Sequence, residues 1–292
     1  MRTRALSIVE ALLVTFLWST SYILIKIGLE EINPLIFASY RYTIASLILL
    51  LPTLYFYRKD FKRLTLRQAL FFTLLGFSGY FIAQGLQFLG LYYLQPVTVT
   101  FILNLTPFSV LILSVLILKE KPSPIQLGGI TLTLIGVLVF FFDSLLSSEE
   151  IIGILITFIS GLGWAVYMIF SRQYLRENGE NVLVLTVSSM ALGSLMLLGT
   201  SAATGRISTI SLNSWIIILW LSGVNTAFAF PLWNHSLKIL KAYEQSILQN
   251  TMLIQITILA NIFIKEIITL QKILGIIMVF LGVLIVQLRK AP

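Results

Sequence analysis

The chain has 292 residues, 58% hydrophobic and 11% charged, with a formal net charge of +8 and no cysteine. Soluble domains carry about 25% charged residues, so this composition excludes a water-soluble fold with a polar surface, and the lack of cysteine excludes disulfides and thiolate metal sites. The excess of positive charge reads as membrane orientation and not as a nucleic-acid surface.

Apolar stretches of about 20 residues match the helical length that crosses a bilayer core of about 30 Å. They predict an all-α membrane protein of ten transmembrane helices, at residues 6–28, 34–57, 67–89, 95–118, 123–143, 151–172, 180–201, 212–235, 242–264 and 268–288. The first run is too long for a signal peptide and lacks a small-residue cleavage site, so it is read as a retained span. Turn signals at Asn33-Pro34, Gln95-Pro96, Pro122-Ser123-Pro124, Asn178-Gly179 and Thr204-Gly205 separate the spans. Basic residues sort by side, with Arg2, Arg4, Arg58, Lys59, Lys62, Arg63, Arg67, Lys119, Lys121, Arg172, Arg176, Lys238, Lys241, Arg289 and Lys290 on one and only Arg206, Lys265 and Lys272 on the other, with Lys26 near its edge. Both termini are therefore expected in the cytoplasm, and the protein in the plasma membrane with lipid as its surroundings.

In helix 1, Thr15, Trp18, Ser19, Tyr22 and Lys26 share one side. Such a stripe should face a cavity or another helix, since facing lipid would be costly. Helix 3 repeats the pattern with Tyr80, Gln84 and Gln87, two amides and a phenol that donate and accept hydrogen bonds. Asn104 near the centre of helix 4 is followed by Pro107, which removes a backbone donor and is expected to kink that helix. Gly129 and Gly136 in helix 5, and Gly275 and Gly282 in helix 10, permit close helix packing, within the chain or in a homodimer through these two helices. Trp164 stands mid-span in helix 6, Asn250 in helix 9, and Trp233 on helix 8 either lines the cavity or anchors at the interface. The lone His235 has no neighbouring ligand set, so no metal site is expected.

A single shift of 146 residues pairs Trp18 with Trp164, Asn104 with Asn250, Lys119-Glu120 with Lys265-Glu266, Gly129 with Gly275 and Gly136 with Gly282. The chain thus divides into repeats at 1–146 and 147–292. Five spans per repeat is an odd number, which requires the two repeats to be inverted, an arrangement that recurs in secondary transporters.

With its mid-span Trp in the first helix, Asn in the fourth, and Glu followed by a Gly-bearing fifth helix in each half, the chain resembles the EamA-like ten-helix members of the drug/metabolite transporter superfamily. The family usually has Gly before that Glu, where Lys119 and Lys265 stand here. The resemblance implies a solute carrier, often an exporter of amino acids or other metabolites, with a cavity lined mainly by helices 1, 3, 4, 6, 8 and 9. An exporter of drugs or other amphipathic solutes is the nearest alternative.

No G-x-x-x-x-G-K loop occurs, so neither ATP nor any other cofactor is implied. One His, no Cys and no paired mid-membrane carboxylates offer little for an intramembrane enzyme, and a lipid-handling protein leaves the repeat and the polar stripes unexplained. The expected solute contacts are Trp18, Tyr22, Tyr80, Gln84, Gln87, Asn104, Trp164, Trp233 and Asn250, with an amphipathic metabolite held between Trp18 and Trp164. Arg41 and Lys26 would draw a carboxylate, unless Arg41 pairs with Glu30 or Glu31 and Lys26 snorkels to the headgroups. If protons couple transport, Glu10, Glu244 or His235 would carry them.

Overall fold

Leu- and Ile-rich segments in lipid must satisfy their backbone internally, which a helix does, and the computed structural model is all helix among the residues it describes. These are 4–62, 64–120, 122–140, 142, 148–177, 181–204, 210–264 and 269–287. The apolar helices are α1 (Arg4–Gly28), α2 (Pro34–Lys59), α3 (Leu66–Tyr93), α4 (Pro96–Leu118), α5 (Pro124–Val139), α6 (Ile151–Arg176), α7 (Val182–Ala203), α8 (Leu212–Leu237), α9 (Ala242–Phe263) and α10 (Ile273–Val286). Among the described residues eight of them are long and apolar enough to cross a membrane, while the described parts of α5 and α10 are shorter. Lys265 and Glu266 of the repeated Lys-Glu pair lie outside the described residues.

Local chemistry sets the helix starts. Thr65 and Gln68 form a capping box before α3, with Thr65 N–H donating to Gln68 Oε1 at 2.9 Å, and Pro96 occupies the first turn of α4, where its missing N–H costs nothing. Glu31 accepts hydrogen bonds from Ser214 Oγ and from Ser211 Oγ and N–H, tying the α1–α2 turn to the start of α8. These bonds, that from Ser214 first, hold its carboxyl below the ordinary carboxylate range.

Two kinds of interruption recur in both halves. The backbone widens into π-helical turns at Phe77–Gln84 in α3 and Gly223–Phe228 in α8, features found often at functional sites. Helices α4 and α9 each break at an asparagine, Asn104 and Asn250. Pro107 therefore does not account for the break in α4, because α9 breaks at the matching place with Leu253 in the proline's position.

Packing between the halves is reciprocal. Helix α1 lies on α8 and α9, α6 lies on α3 and α4, α2 packs on α7 and α5 on α10, so exchanging the halves leaves this set of pairings unchanged. A Cβ at Gly129 would sit 2.8 Å from the Gly282 carbonyl and one at Gly136 would sit 2.9 Å from that of Gly275. The two helices thus run antiparallel in backbone contact. These glycine faces are turned toward each other inside the chain, so a homodimer through α5 and α10 would have to use other surfaces. Outward, Leu51, Phe56, Leu116 and Phe263 are exposed, as on a lipid-facing wall.

Lys119 closes α4 with φ 55° and ψ 26°, in the left-handed region that glycine favours. This backbone explains glycine as the family's usual residue there, and a side chain in that conformation costs about 1–2 kcal/mol. Lys119→Gly is expected to raise stability by roughly 0.5–1 kcal/mol after the entropy of the unfolded chain is counted. A fall in the melting temperature of the detergent-solubilised variant would contradict this.

Candidate functional site

The helices converge on a narrow, partly open cleft whose atom-free space, counted together with the solvent open to it, is about 460 Å³. Its walls come from α1 (Trp18, Ser21, Tyr22), α2 (Arg41), α3 (Ala83, Gln84, Gln87), α4 (Leu103), α6 (Ser160, Trp164), α8 (Phe230) and α9 (Gln249, Met252). Both halves contribute. The set adds α2 to the helices implied by the resemblance, and Arg41 is the reason.

An aromatic cluster forms one wall. The Trp18 and Trp164 rings meet edge to face at 5.6 Å, Phe230 lies 5.1 Å from Trp18, and Trp233 backs Trp18 at 4.9 Å. Because the two tryptophans touch, they form one surface and leave no gap between them for a solute. Trp18 Nε1 donates to the Asn225 carbonyl at 3.0 Å, and Trp164 Nε1 donates to Gln249 Oε1 at 2.8 Å.

The polar groups of the cavity are weighted toward donors. Tyr42 Oη donates to Gln84 Oε1 at 2.6 Å, so one lone pair of that oxygen is used while the amide N–H groups stay available. Gln249 is in the same condition through its bond from Trp164. Arg41 is 3% exposed; its Nε donates to Thr226 Oγ1 at 2.8 Å and its Nη2 to the Asn225 carbonyl at 3.5 Å, both on the π-helical turn of α8.

Of the residues expected from sequence, Trp18, Tyr22, Gln84, Gln87 and Trp164 lie in the cavity wall. Tyr80, Asn104, Trp233 and Asn250 do not. Tyr80 is fully buried, its hydroxyl 3.2 Å from that of Tyr167. Trp233 is also fully buried, behind Trp18, and so is not an interfacial anchor. Asn104 and Asn250 sit at the helix breaks beside Leu103 and Gln249, and the Nδ2 of each is buried without a hydrogen-bond partner. Ser21, Ser160, Leu103, Phe230, Gln249 and Met252 were not expected. The 146-residue shift held a signal for two of them, since it pairs Gln84 with Phe230 and Leu103 with Gln249.

The helix 1 stripe divides three ways. Thr15 and Ser19 bond to α9 through Thr251 Oγ1 (3.3 Å) and Gln255 Oε1 (2.7 Å), and Trp18 and Tyr22 face the cavity. Lys26 donates to the carbonyls of Leu91 and Leu94 at 2.8 and 3.0 Å, capping the end of α3 where the helix dipole favours a cation. It therefore does not snorkel to headgroups. Its counterpart Arg172 does the same in the second half, donating to the carbonyls of Leu237 and Lys238 at 2.9 and 2.7 Å. The titratable groups named from sequence are engaged: His235 Nδ1 lies 2.9 Å from Glu10 Oε2, and Arg4 Nη2 lies 3.1 Å from Glu244 Oε1.

Comparison with known proteins places this geometry in a family. The sequence profile of the EamA-like transporter family matches residues 5–142 and again 151–288, two segments that stand apart by the offset that pairs the tryptophans. An uncharacterised transporter of Archaeoglobus fulgidus is 29% identical, over 97% of this chain and 99% of that protein. A Salmonella typhimurium protein named "Probable amino-acid metabolite efflux pump" is 25% identical, over 94% and 92% respectively. An S-adenosylmethionine/S-adenosylhomocysteine transporter of Chlamydia muridarum is 25% identical, over 80% and 75%. A solved crystal structure, 16% identical, superposes with a TM-score of 0.80 over 98% of this chain and 97% of the other, a likeness of fold alone. A multi-pass membrane protein with a central cleft lined by aromatic and polar side chains, this chain belongs to the EamA-like transporter family, and its matched relatives are named as transporters and efflux pumps.

Proposed function

We propose that the protein is a secondary transporter or facilitator that moves a small organic metabolite, an amino acid or a close relative, by alternating access to the central cavity. The observation that carries this reading is that matching positions of the two halves line one cavity: Trp18 with Trp164, Gln84 with Phe230, and Leu103 with Gln249. A site shared by two halves can open to either side as they rock against each other. The relatives' names, "Probable amino-acid metabolite efflux pump" and "S-adenosylmethionine/S-adenosylhomocysteine transporter", support a solute of this class, and the first supports export as the direction.

In this reading α5 and α10 also cross the bilayer, giving ten spans and two halves at 1–146 and 147–292. The reciprocal packing and the antiparallel contact of α5 with α10 support inverted halves related by an axis in the membrane plane. The basic residues place both termini in the cytoplasm, and Trp18, Tyr22, Gln84, Gln87 and Trp164 serve as solute contacts.

The chain has no cysteine, so single cysteines report access directly. An Arg67→Cys variant is expected to react with an impermeant maleimide only from the cytoplasmic side. A Gln87→Cys variant is expected to react from outside in intact cells and from the cytoplasmic face in inverted vesicles. Reaction of Gln87→Cys from one side alone under every condition would contradict alternating access, and outside labelling of Arg67→Cys would reverse the topology.

A further inference from the structure

We infer that Arg41 is the anion anchor of the cavity: the solute carries a carboxylate that takes the free N–H donors of this guanidinium, and an amino group on the solute is dispensable for recognition. The inference rests on the transport function proposed above and names the chemistry of its solute.

A guanidinium offers five N–H donors, and Arg41 spends two, on Thr226 Oγ1 and on the Asn225 carbonyl at the long distance of 3.5 Å. Three remain in a side chain that is 3% exposed and forms part of the cavity wall. Among the described residues no carboxylate lies within ion-pairing distance of it. Glu31, a partner expected from sequence, is bound to Ser211 and Ser214. The Tyr42 and Phe88 rings lie 5.3 and 5.9 Å from the guanidinium carbon, neutral neighbours that soften the burial without cancelling the charge.

A buried cation at membrane depth is costly unless something pairs with it. The packing of the fold does not demand it, because the matching position in the second half is Val187, also fully buried. The charge is specific to one side of an otherwise matched cavity, and a ligand is what remains to neutralise it.

The rest of the lining agrees in sign. No Asp or Glu lines the cavity, and the amide oxygens of Gln84 and Gln249 each already accept one hydrogen bond, from Tyr42 and Trp164. Their amide donors suit a second carboxylate oxygen, whereas a solute ammonium finds no ion-pair partner. Arginine matches a carboxylate in a two-point fork, and the ring faces of Trp18, Trp164 and Phe230 suit an apolar or flat body.

The test uses the full chain purified in detergent and acid/amide pairs of equal shape: 3-phenylpropionate with 3-phenylpropionamide, and 4-methylpentanoate with 4-methylpentanamide. L-phenylalanine and L-leucine add the amino group to the two acids. Binding is read from the shift in melting temperature and from quenching of tryptophan fluorescence. The acids are expected to bind roughly tenfold or more tighter than the amides, and the amino acids no tighter than the acids that lack the amino group. Arg41→Gln should abolish the preference for acid over amide, and Arg41→Lys should keep part of it. Equal response to acid and amide in the wild type, or no response to any of the acids, overturns the inference without any variant having to fold. Wild-type acid binding by Arg41→Gln overturns it as well. Saturable flux of the amides but not of the acids through proteoliposomes would leave the transport function standing and remove the anchor.

Discussion

An Arg172→Met variant is expected to lose up to about 3–5 kcal/mol of stability, because it removes the closest partner of a buried carboxylate and leaves Glu120, among the described residues, only Arg176 Nη1 at 3.7 Å. Arg172 Nε and Nη2 donate to Glu120 Oε1 at 3.2 and 3.1 Å, while Nη1 holds the carbonyls at the end of α8. Both side chains are nearly buried, at 9% and 7% exposure. One guanidinium thereby joins the end of α4 to α6 and α8. In detergent the melting temperature should fall by roughly 10 °C, and a fall of only a degree or two would show that the ion pair is not structural. The double variant Arg172→Met/Glu120→Leu should regain part of the loss by removing the stranded charge. If it does not, the carbonyl contacts of Arg172 carry the effect.

The second large effect is expected at Trp18. Its ring touches Trp164, Phe230 and Trp233, and it is the point at which the two first helices and α8 meet. Trp18→Ala should cost about 3–5 kcal/mol by opening a void in this cluster, and should abolish solute binding with it. Trp18→Phe keeps an apolar ring but loses the hydrogen bond to the Asn225 carbonyl, so it should fold with a loss of about 0.5–1.5 kcal/mol. Thermal melting separates the two variants. Near-equal melting temperatures for wild type and Trp18→Ala would mean that the cluster does not support the fold.

Much of the architecture was legible because a membrane chain writes its spans as apolar runs of fixed length, and because matched Trp, Asn and Gly positions recur on one shift. The described apolar helices follow the predicted stretches, with α5 and α10 shorter over their described residues. Side-chain direction was less legible. The stripe of Thr15, Trp18, Ser19, Tyr22 and Lys26 was visible as one side of a helix, but that side meets α9, the cavity and the end of α3 in turn. Periodicity specifies a face and not what lies opposite it. Tyr80 looked like a companion of Gln84 and Gln87, yet the π-helical turn at Phe77–Gln84 changes the angular spacing between them, and Tyr80 is buried against Tyr167. Pro107 drew attention to α4 for a reason that α9 does not share. Gln249 was overshadowed by Asn250, although shifting the lining of one half onto the other points to it.

The most direct measurement is solute flux into proteoliposomes that contain the purified protein, set against protein-free liposomes, with L-phenylalanine and L-leucine as labelled solutes. Saturable, protein-dependent flux is predicted, suppressed in Gln84→Ala and Trp164→Ala variants that retain wild-type melting behaviour. Flux no greater than in empty liposomes, or undiminished flux in both folded variants, would contradict transport through this cavity.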